Sequence, residues 1–217
     1  PWAGTDAQDH YYFSHRDNFH SSPAIRVAGG KCLALCGMSA DDLDLVDVYS
    51  CFPSAVQIAC QELGIDTNRQ LTVTGGLTFA GGPLNNYVMH SIARMAQLLR
   101  DNPGKRGMIT ANGGYITKHA FGIYSSEAPS QPFQHADLQD QVDATLKREV
   151  VIGHEGKGEV EGYSVMYGPE GVTKAFVAAR LDDGRRAWGI SQDTALLQNM
   201  TEEEYCGRQV SLAEHVA

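Results

Sequence analysis

Three short stretches concentrate the residues that could do chemistry: Tyr49-Ser50-Cys51-Phe52-Pro53, Gly75 to Pro83, and Asn112-Gly113-Gly114. Each follows an apolar run with strand character, at 45–49, 71–74 and 107–111. In an α/β sheet, ligands sit beyond the carboxyl ends of the strands, where loops and helix N-termini offer unpaired backbone N–H groups. The three loops are therefore expected to meet at one edge. Their glycines either let a ligand approach the backbone closely or simply turn the chain, and spacing leaves both readings open. His10, His15 and His20 recur every five residues, a step that suits neither one helix face nor strand alternation, so no metal site is expected from them.

The elements around these loops read as follows. Ser21 or Ser22 caps a helix with Pro23 in its first turn, and Ile25, Ala28, Cys32 and Leu35 continue it to Gly37. Ser39 and Asp42 make a second capping signal. Residues 53–63 form a helix with Val56, Cys60 and Leu63 inward and Gly64 as its stop. Leu84, Val88, Ile92, Met95 and Leu99 mark one face of a long helix. Asn112-Gly113-Gly114 is a hairpin signal between strands at 107–111 and 115–125. This order predicts an α/β layer with mostly parallel pairing and one hairpin at its end. Residues 1–20 show no regular period.

Composition shifts at Ser125. Residues 126–148 read as a linker and a polar connector helix, and 149–217 as a small β-rich domain resembling an open barrel, with strands at 172–180 and 185–190 joined across Asp182-Asp183-Gly184. The chain thus divides into 1–125, 126–148 and 149–217. Seventeen basic against 26 acidic residues leave a net charge of −9, which argues against a nucleic-acid binder. Residues 149–217 alone hold 12 acidic and 6 basic side chains. No apolar run reaches the roughly 18 residues a membrane helix needs. Five cysteines, an odd number in a chain too long to need disulfides, suit a reducing cytoplasm.

The loops, in this order, resemble the C-terminal half of the thiolase superfamily. Residues 44–52 sit where thiolases carry an Asn-Glu-Ala-Phe or His-Asp-Cys-Phe loop, 74–83 where they carry a Gly-Gly stretch ending in Gly-His-Pro, and 112–114 where they carry a Cys-X-Gly-Gly hairpin. The resemblance covers about residues 20 to 125 and is closest to thiolase-like acetyl-CoA acetyltransferases with an extra C-terminal β domain. It implies one half of a layered α/β/α fold, and an acyl-CoA-dependent acyltransferase of lipid metabolism with coenzyme A as substrate or ligand and no covalently held cofactor. It implies contacts to coenzyme A from Ser50, Cys51, Gly81, Gly82, Asn112, Gly113 and Gly114. It also implies a thiolase N-terminal half, on the same severed chain or a separate subunit, because half a thiolase leaves a sheet edge and a helix layer uncovered. A first residue of Pro1 rather than Met agrees with a trimmed chain.

The residues that perform thiolase chemistry are replaced here. The Gly-His-Pro histidine falls at Gly82, the Asn or His of the first loop at Tyr49, and the hairpin cysteine at Ala111 or Asn112, with no cysteine between Cys60 and Cys206. Tyr49, His119 and Tyr115 are the candidates to take over the acid/base work, His119 and Tyr115 sharing one side of a strand by alternation. A tyrosine suits a retro-aldol carbon–carbon lyase acting on an acyl-CoA. A pocket that binds coenzyme A without reacting, as a scaffold subunit, is the rival reading. Cys32, Cys36, Cys51 and Cys60 are expected to be inert.

Overall fold

A computed structural model describes residues 1–213 and separates into two compact units, one of residues 1–13 and 20–145, the other of residues 14–19 and 146 onward. The first unit is built on a five-stranded sheet of β1 (Ala3–Gln8), β2 (Leu45–Asp47), β3 (Arg106–Gly113), β4 (Lys118–Ser125) and β5 (Gln134–Asp137), in the order β2-β3-β4-β1-β5. Two pairs are parallel, β2 with β3 and β1 with β5. The other two, β3 with β4 and β4 with β1, are antiparallel. The sheet is thus mixed rather than mostly parallel. The difference comes from β1, which lies in the stretch read as irregular. Ala3, Thr5 and Ala7 are buried in strict alternation, but their small side chains leave almost no hydrophobic period to detect.

Helices cover both faces of this sheet. Met108 and Ile123 point to one face, against α1 (Gly30–Leu35), α2 (Pro53–Leu63) and the turns that precede α1. Ile109 points to the other, against Met95 and Leu99 of α4 (Tyr87–Asp101). Burying each such side chain contributes roughly 1.5 to 3 kcal/mol. The helix expected from Ser21 begins as a π-helix over Ile25–Gly29 and continues as α1. A Cβ on Gly29 would come 2.4 Å from the Leu63 Cδ2 and 3.1 Å from the Phe121 ring, so glycine permits the close approach of this helix to α2 and β4. Ser39 and Asp42 form the expected capping contacts, the Asp42 carboxylate accepting both the Ser39 N–H and its hydroxyl at 2.8 Å. Pro53 opens α2, and Gly64, at φ +67°, closes it.

Three local expectations are corrected. Residues 71–74 form no strand: Val73 N–H donates to the Asp47 carboxylate at 2.8 Å instead of entering a ladder. Leu84 lies outside α4, at φ +52° and almost wholly exposed, and the buried stripe of that helix is Tyr87, Ser91, Met95 and Leu99. The hairpin turn is Gly114-Tyr115-Ile116-Thr117, so Asn112 and Gly113 belong to β3 and pair with His119 and Lys118 of β4. Gly114, at φ +61°, supplies the left-handed turn there.

The remaining elements are α3 (Leu77–Ala80) and α5 (Gln139–Asp143) of the first unit, and β6 (Val150–Val151), β7 (Gly156–Gly168), β8 (Gly171–Arg180), β9 (Arg186–Ser191), α6 (Thr194–Glu202) and β10 (Gln209–Leu212) of the second. The second unit is a curled sheet in the order β10-β7-β8-β9-β6, antiparallel except for β6 beside β9. Register shifts in β7, at Val160/Gly162 and Met166/Tyr167, bend it. Leu197 and Met200 of α6 pack on Val160, Ala175 and Val177. Residues 14–19 join this unit through buried Arg186, whose guanidinium donates to the Ser14, Arg16 and Asp17 carbonyls, pairs with Glu161 at 2.7 Å and lies 4.2 Å from the centroid of the Phe19 ring. Among the described residues, no helix is long and apolar enough to cross a membrane. The protein is an α/β layered domain followed by a small β-rich domain.

Candidate active site

The carboxyl ends of β2 and β3 lie side by side because these strands are parallel neighbours, and this brings the three loops together. Tyr49 N–H donates to the Thr110 hydroxyl at 2.9 Å, and Asn112 Nδ2 lies 3.5 Å from the Cys51 sulfur, so the first loop is tied to β3 twice. Ser50 Oγ accepts the backbone N–H of Leu77 at 3.0 Å, which ties the first loop to the glycine-rich second loop. Gly76, at φ +85°, is required there: a Cβ would stand 2.8 Å from Ser50 Oγ.

Beneath the loops lies Asp47, fully buried. Its Oδ1 accepts the hydroxyls of Tyr87 and Ser91, at 3.0 and 2.6 Å, and its Oδ2 accepts Val73 N–H at 2.8 Å and the Thr74 hydroxyl at 3.4 Å. A buried carboxylate is tolerated only when so satisfied. Its role is to hold the second loop and α4 against β2.

Beside the first loop, where β3, β4 and α2 meet, lies a small open pocket, lined on its polar side by Tyr49, Thr110, Asn112 and His119 and on its apolar side by Ile25, Ala55, Ala59 and Phe121. Tyr49 is half-buried, its ring edge-on to Tyr87. Burial raises its pKa, with the neighbouring Cys51 adding to the shift, so at neutral pH the phenol is a hydrogen-bond donor rather than a base. Burial likewise pushes the Cys51 thiol up. The Asn112 Oδ1 is buried and, among the described residues, has no hydrogen-bond donor. His119 is buried on β4, directly across from Asn112, with its ring stacked on Phe121. Its Nε2 is 3.5 Å from Asp9 Oδ2 and 3.4 Å from Ser22 Oγ.

Of the residues singled out by sequence, Tyr49, His119 and Asn112 line this pocket, with Ser50 and Cys51 in the loop that shapes it. Gly81 and Gly82 belong to the second loop but not to the pocket wall: Gly82 faces Tyr87 and Leu77, and Gly81, at φ +67°, has open space where a Cβ would be. Gly113 ends β3 and Gly114 opens the turn. Tyr115 is not brought to the others. It stands 76% exposed in the turn, beside Phe13, because β4 starts only at Lys118 and strand alternation does not reach it. The expected inert cysteines are buried at Cys32 and Cys60 and half-buried at Cys36 and Cys51, and burial raises the pKa of all four. Sequence reasoning gave no role in the site to Asp9, Ser22, Asp47, Tyr87 or Thr110. Ser22 was read as a helix cap, and Asp47 carried a signal as a carboxylate inside an otherwise apolar strand.

Among known proteins, residues 137–215 match the family described as the thiolase-like protein type 1 additional C-terminal domain. A crystal structure described as a monomeric SCP2-thiolase-like protein type 1 from Mycobacterium smegmatis is similar at 34% identity and a TM-score of 0.88, over 98% of this chain and 48% of that one. This chain therefore spans about half the length of that relative. The peroxisomal 3-ketoacyl-CoA thiolase of Saccharomyces cerevisiae is 22% identical over 46% of this chain and 28% of its own, at a TM-score of 0.39. No curated protein sequence matches. With loops ordered as in thiolases, an α/β/α layer and the type 1 additional domain at its end, the chain belongs to the thiolase superfamily.

Proposed function

We propose that this chain contributes the loop-built half of an acyl-CoA site, acting as an acyltransferase with non-standard residues. The observation that carries the reading is the convergence of the Tyr49 phenol, the Asn112 amide and the His119 imidazole on one pocket, at the sheet edge where thiolases handle a thioester. Tyr49, kept protonated, donates a hydrogen bond to the thioester oxygen as negative charge develops on it. His119 accepts the α-proton that a hairpin cysteine moves in thiolases. The acyl nucleophile is supplied by the other half of the site, from a further segment or a separate subunit. The same donor and base also suit a retro-aldol lyase, in which His119 takes the proton of a β-hydroxyl and Tyr49 stabilises the enolate left on the thioester.

The test compares coenzyme A binding by calorimetry and turnover of acyl-CoA in the intact protein with Tyr49→Phe and His119→Gln. The reading expects binding to persist and turnover to fall, by about 10²- to 10³-fold for Tyr49→Phe as for loss of one oxyanion donor. Binding of coenzyme A without any turnover in the intact protein leaves the scaffold reading instead. A cleaved β-hydroxyacyl-CoA with no acyl transfer selects the lyase.

A further inference from the structure

A buried polar cluster stands behind the pocket and is not explained by packing. Asp9 follows β1, and its N–H donates to the Thr117 carbonyl at 2.9 Å, which fixes it beside the start of β4. Its Oδ1 accepts the backbone N–H of Ala24 at 3.0 Å, and its Oδ2 accepts the Ser22 hydroxyl and faces His119 Nε2 at 3.5 Å. Ser22 Oγ in turn accepts Ile25 N–H at 3.2 Å, and Ser22 N–H donates to Glu62 Oε1 at 2.9 Å. The Asp9 and His119 side chains are each only 2% exposed, and Ser22 is fully buried.

From this geometry we infer that Asp9 is the positioning residue of His119. It holds the imidazole as the Nε2–H tautomer and leaves Nδ1 with the lone pair that takes a proton in the pocket. The inference rests on His119 being the base of the site. Its physical basis is that a neutral imidazole donates from one nitrogen and accepts at the other, so the partner of one nitrogen determines the role of the other. A carboxylate can only accept, and the Ser22 hydroxyl, 3.4 Å from the same nitrogen, already donates its proton to Asp9, so the nitrogen that faces both oxygens carries the proton. Ser22 and Ala24 supply the donors that keep Asp9 in place, and they come from the opening of the helix that packs on α2. This links the N-terminal strand, which carries none of the thiolase-like loops, to the chemistry of the pocket.

Asp9→Asn reverses the constraint with little change of shape. The Asn oxygen must remain on Ala24 N–H, so the amide NH₂ takes the position of Oδ2 and donates toward His119, which must then accept at Nε2 and carry its proton on Nδ1. The experiment is ¹⁵N NMR of the intact protein labelled at histidine, with the His119 signals identified by their loss in His119→Gln, together with acyl-CoA turnover. Expected are Nε2–H in the unmodified protein and in Ser22→Ala, Nδ1–H in Asp9→Asn, and a turnover loss of about 10³- to 10⁴-fold for Asp9→Asn, as when a base is held in the wrong tautomer. A ring that is Nδ1–H in the unmodified protein, or unchanged in Asp9→Asn, overturns the assignment to Asp9 whatever the turnover. Turnover that survives His119→Gln overturns the reading of His119 as the base, even if the tautomer switches. If Asp9→Asn fails to fold, the spectra of the unmodified protein and Ser22→Ala still decide the tautomer.

Discussion

The Asp47 carboxylate accepts the Tyr87 hydroxyl at 3.0 Å, and the Tyr87 ring stands edge-on to that of Tyr49 with 5.3 Å between centroids. A residue with no place in the pocket wall thereby sets the seat of one that lines it. Replacing Asp47 with alanine takes the acceptor from the buried Ser91 hydroxyl, the half-buried Val73 N–H and the Tyr87 hydroxyl, which keeps only Thr74, each loss costing about 1 to 3 kcal/mol. Urea denaturation is expected to show a loss of at least about 3 kcal/mol, with Asp47→Asn milder because it keeps one acceptor. A loss under about 0.5 kcal/mol, the scale of an ordinary surface change, would show that the network contributes nothing.

Tyr115 provides the opposite case. Exposed in the hairpin turn, it is expected to be dispensable, so Tyr115→Phe should leave coenzyme A binding and turnover within twofold of the unmodified protein. A drop comparable to that of Tyr49→Phe would place this side chain in the site after all.

Burial pushes the Cys32 thiol from an ordinary 9.0 to about 11, with a hydrogen bond to Thr5 opposing the shift. The folded state therefore keeps a proton that the unfolded state loses above pH 9. The corresponding stability is fully present below pH 9 and is lost as pH rises from 9 to about 11. Over that window the unmodified protein should lose, on the order of 2 to 3 kcal/mol, more stability than Cys32→Ala. Parallel pH profiles of the two urea midpoints would refute this.

In the second unit, Arg186→Met removes the donors to the Ser14, Arg16 and Asp17 carbonyls, leaving Arg148 as the remaining arginine on Asp17, and leaves Glu161 with a weaker partner, Arg148 at 3.8 Å. Breaking a buried pair in this way costs about 3 to 5 kcal/mol. Thermal unfolding of the variant should show that loss. An unchanged midpoint would mean that residues 14–19 are not held by the arginine.

Much of both units was legible because their signals are local. Pro53 and Gly64 bracket α2, Ser39 and Asp42 cap one short turn, and the alternating runs of β8 and β9 flank a glycine turn. The three loops could be placed at one edge from their order alone, and Tyr49 and Asn112 do line a shared pocket there. Errors arose where a distant partner outweighed local pattern. Leu84 fits the apolar stripe of α4, but Asp47 draws Tyr87 and Ser91 inward instead. Residues 71–74 have strand composition, but the same carboxylate takes the Val73 N–H.

The sequence by itself determined the class of layered α/β protein, the thiolase-like order of loops and the substitution of the residues that normally act in them. These depend on residue types and short spacings. Only the tertiary structure decided which candidates meet. It separated Tyr115 from His119, brought Asp9 and Ser22 behind His119 from far along the chain, and joined residues 14–19 to the second unit through Arg186. The physical reason is that a buried charge must find its partners wherever the fold brings them, and contacts between residues so far apart in the chain leave no periodic trace in the sequence.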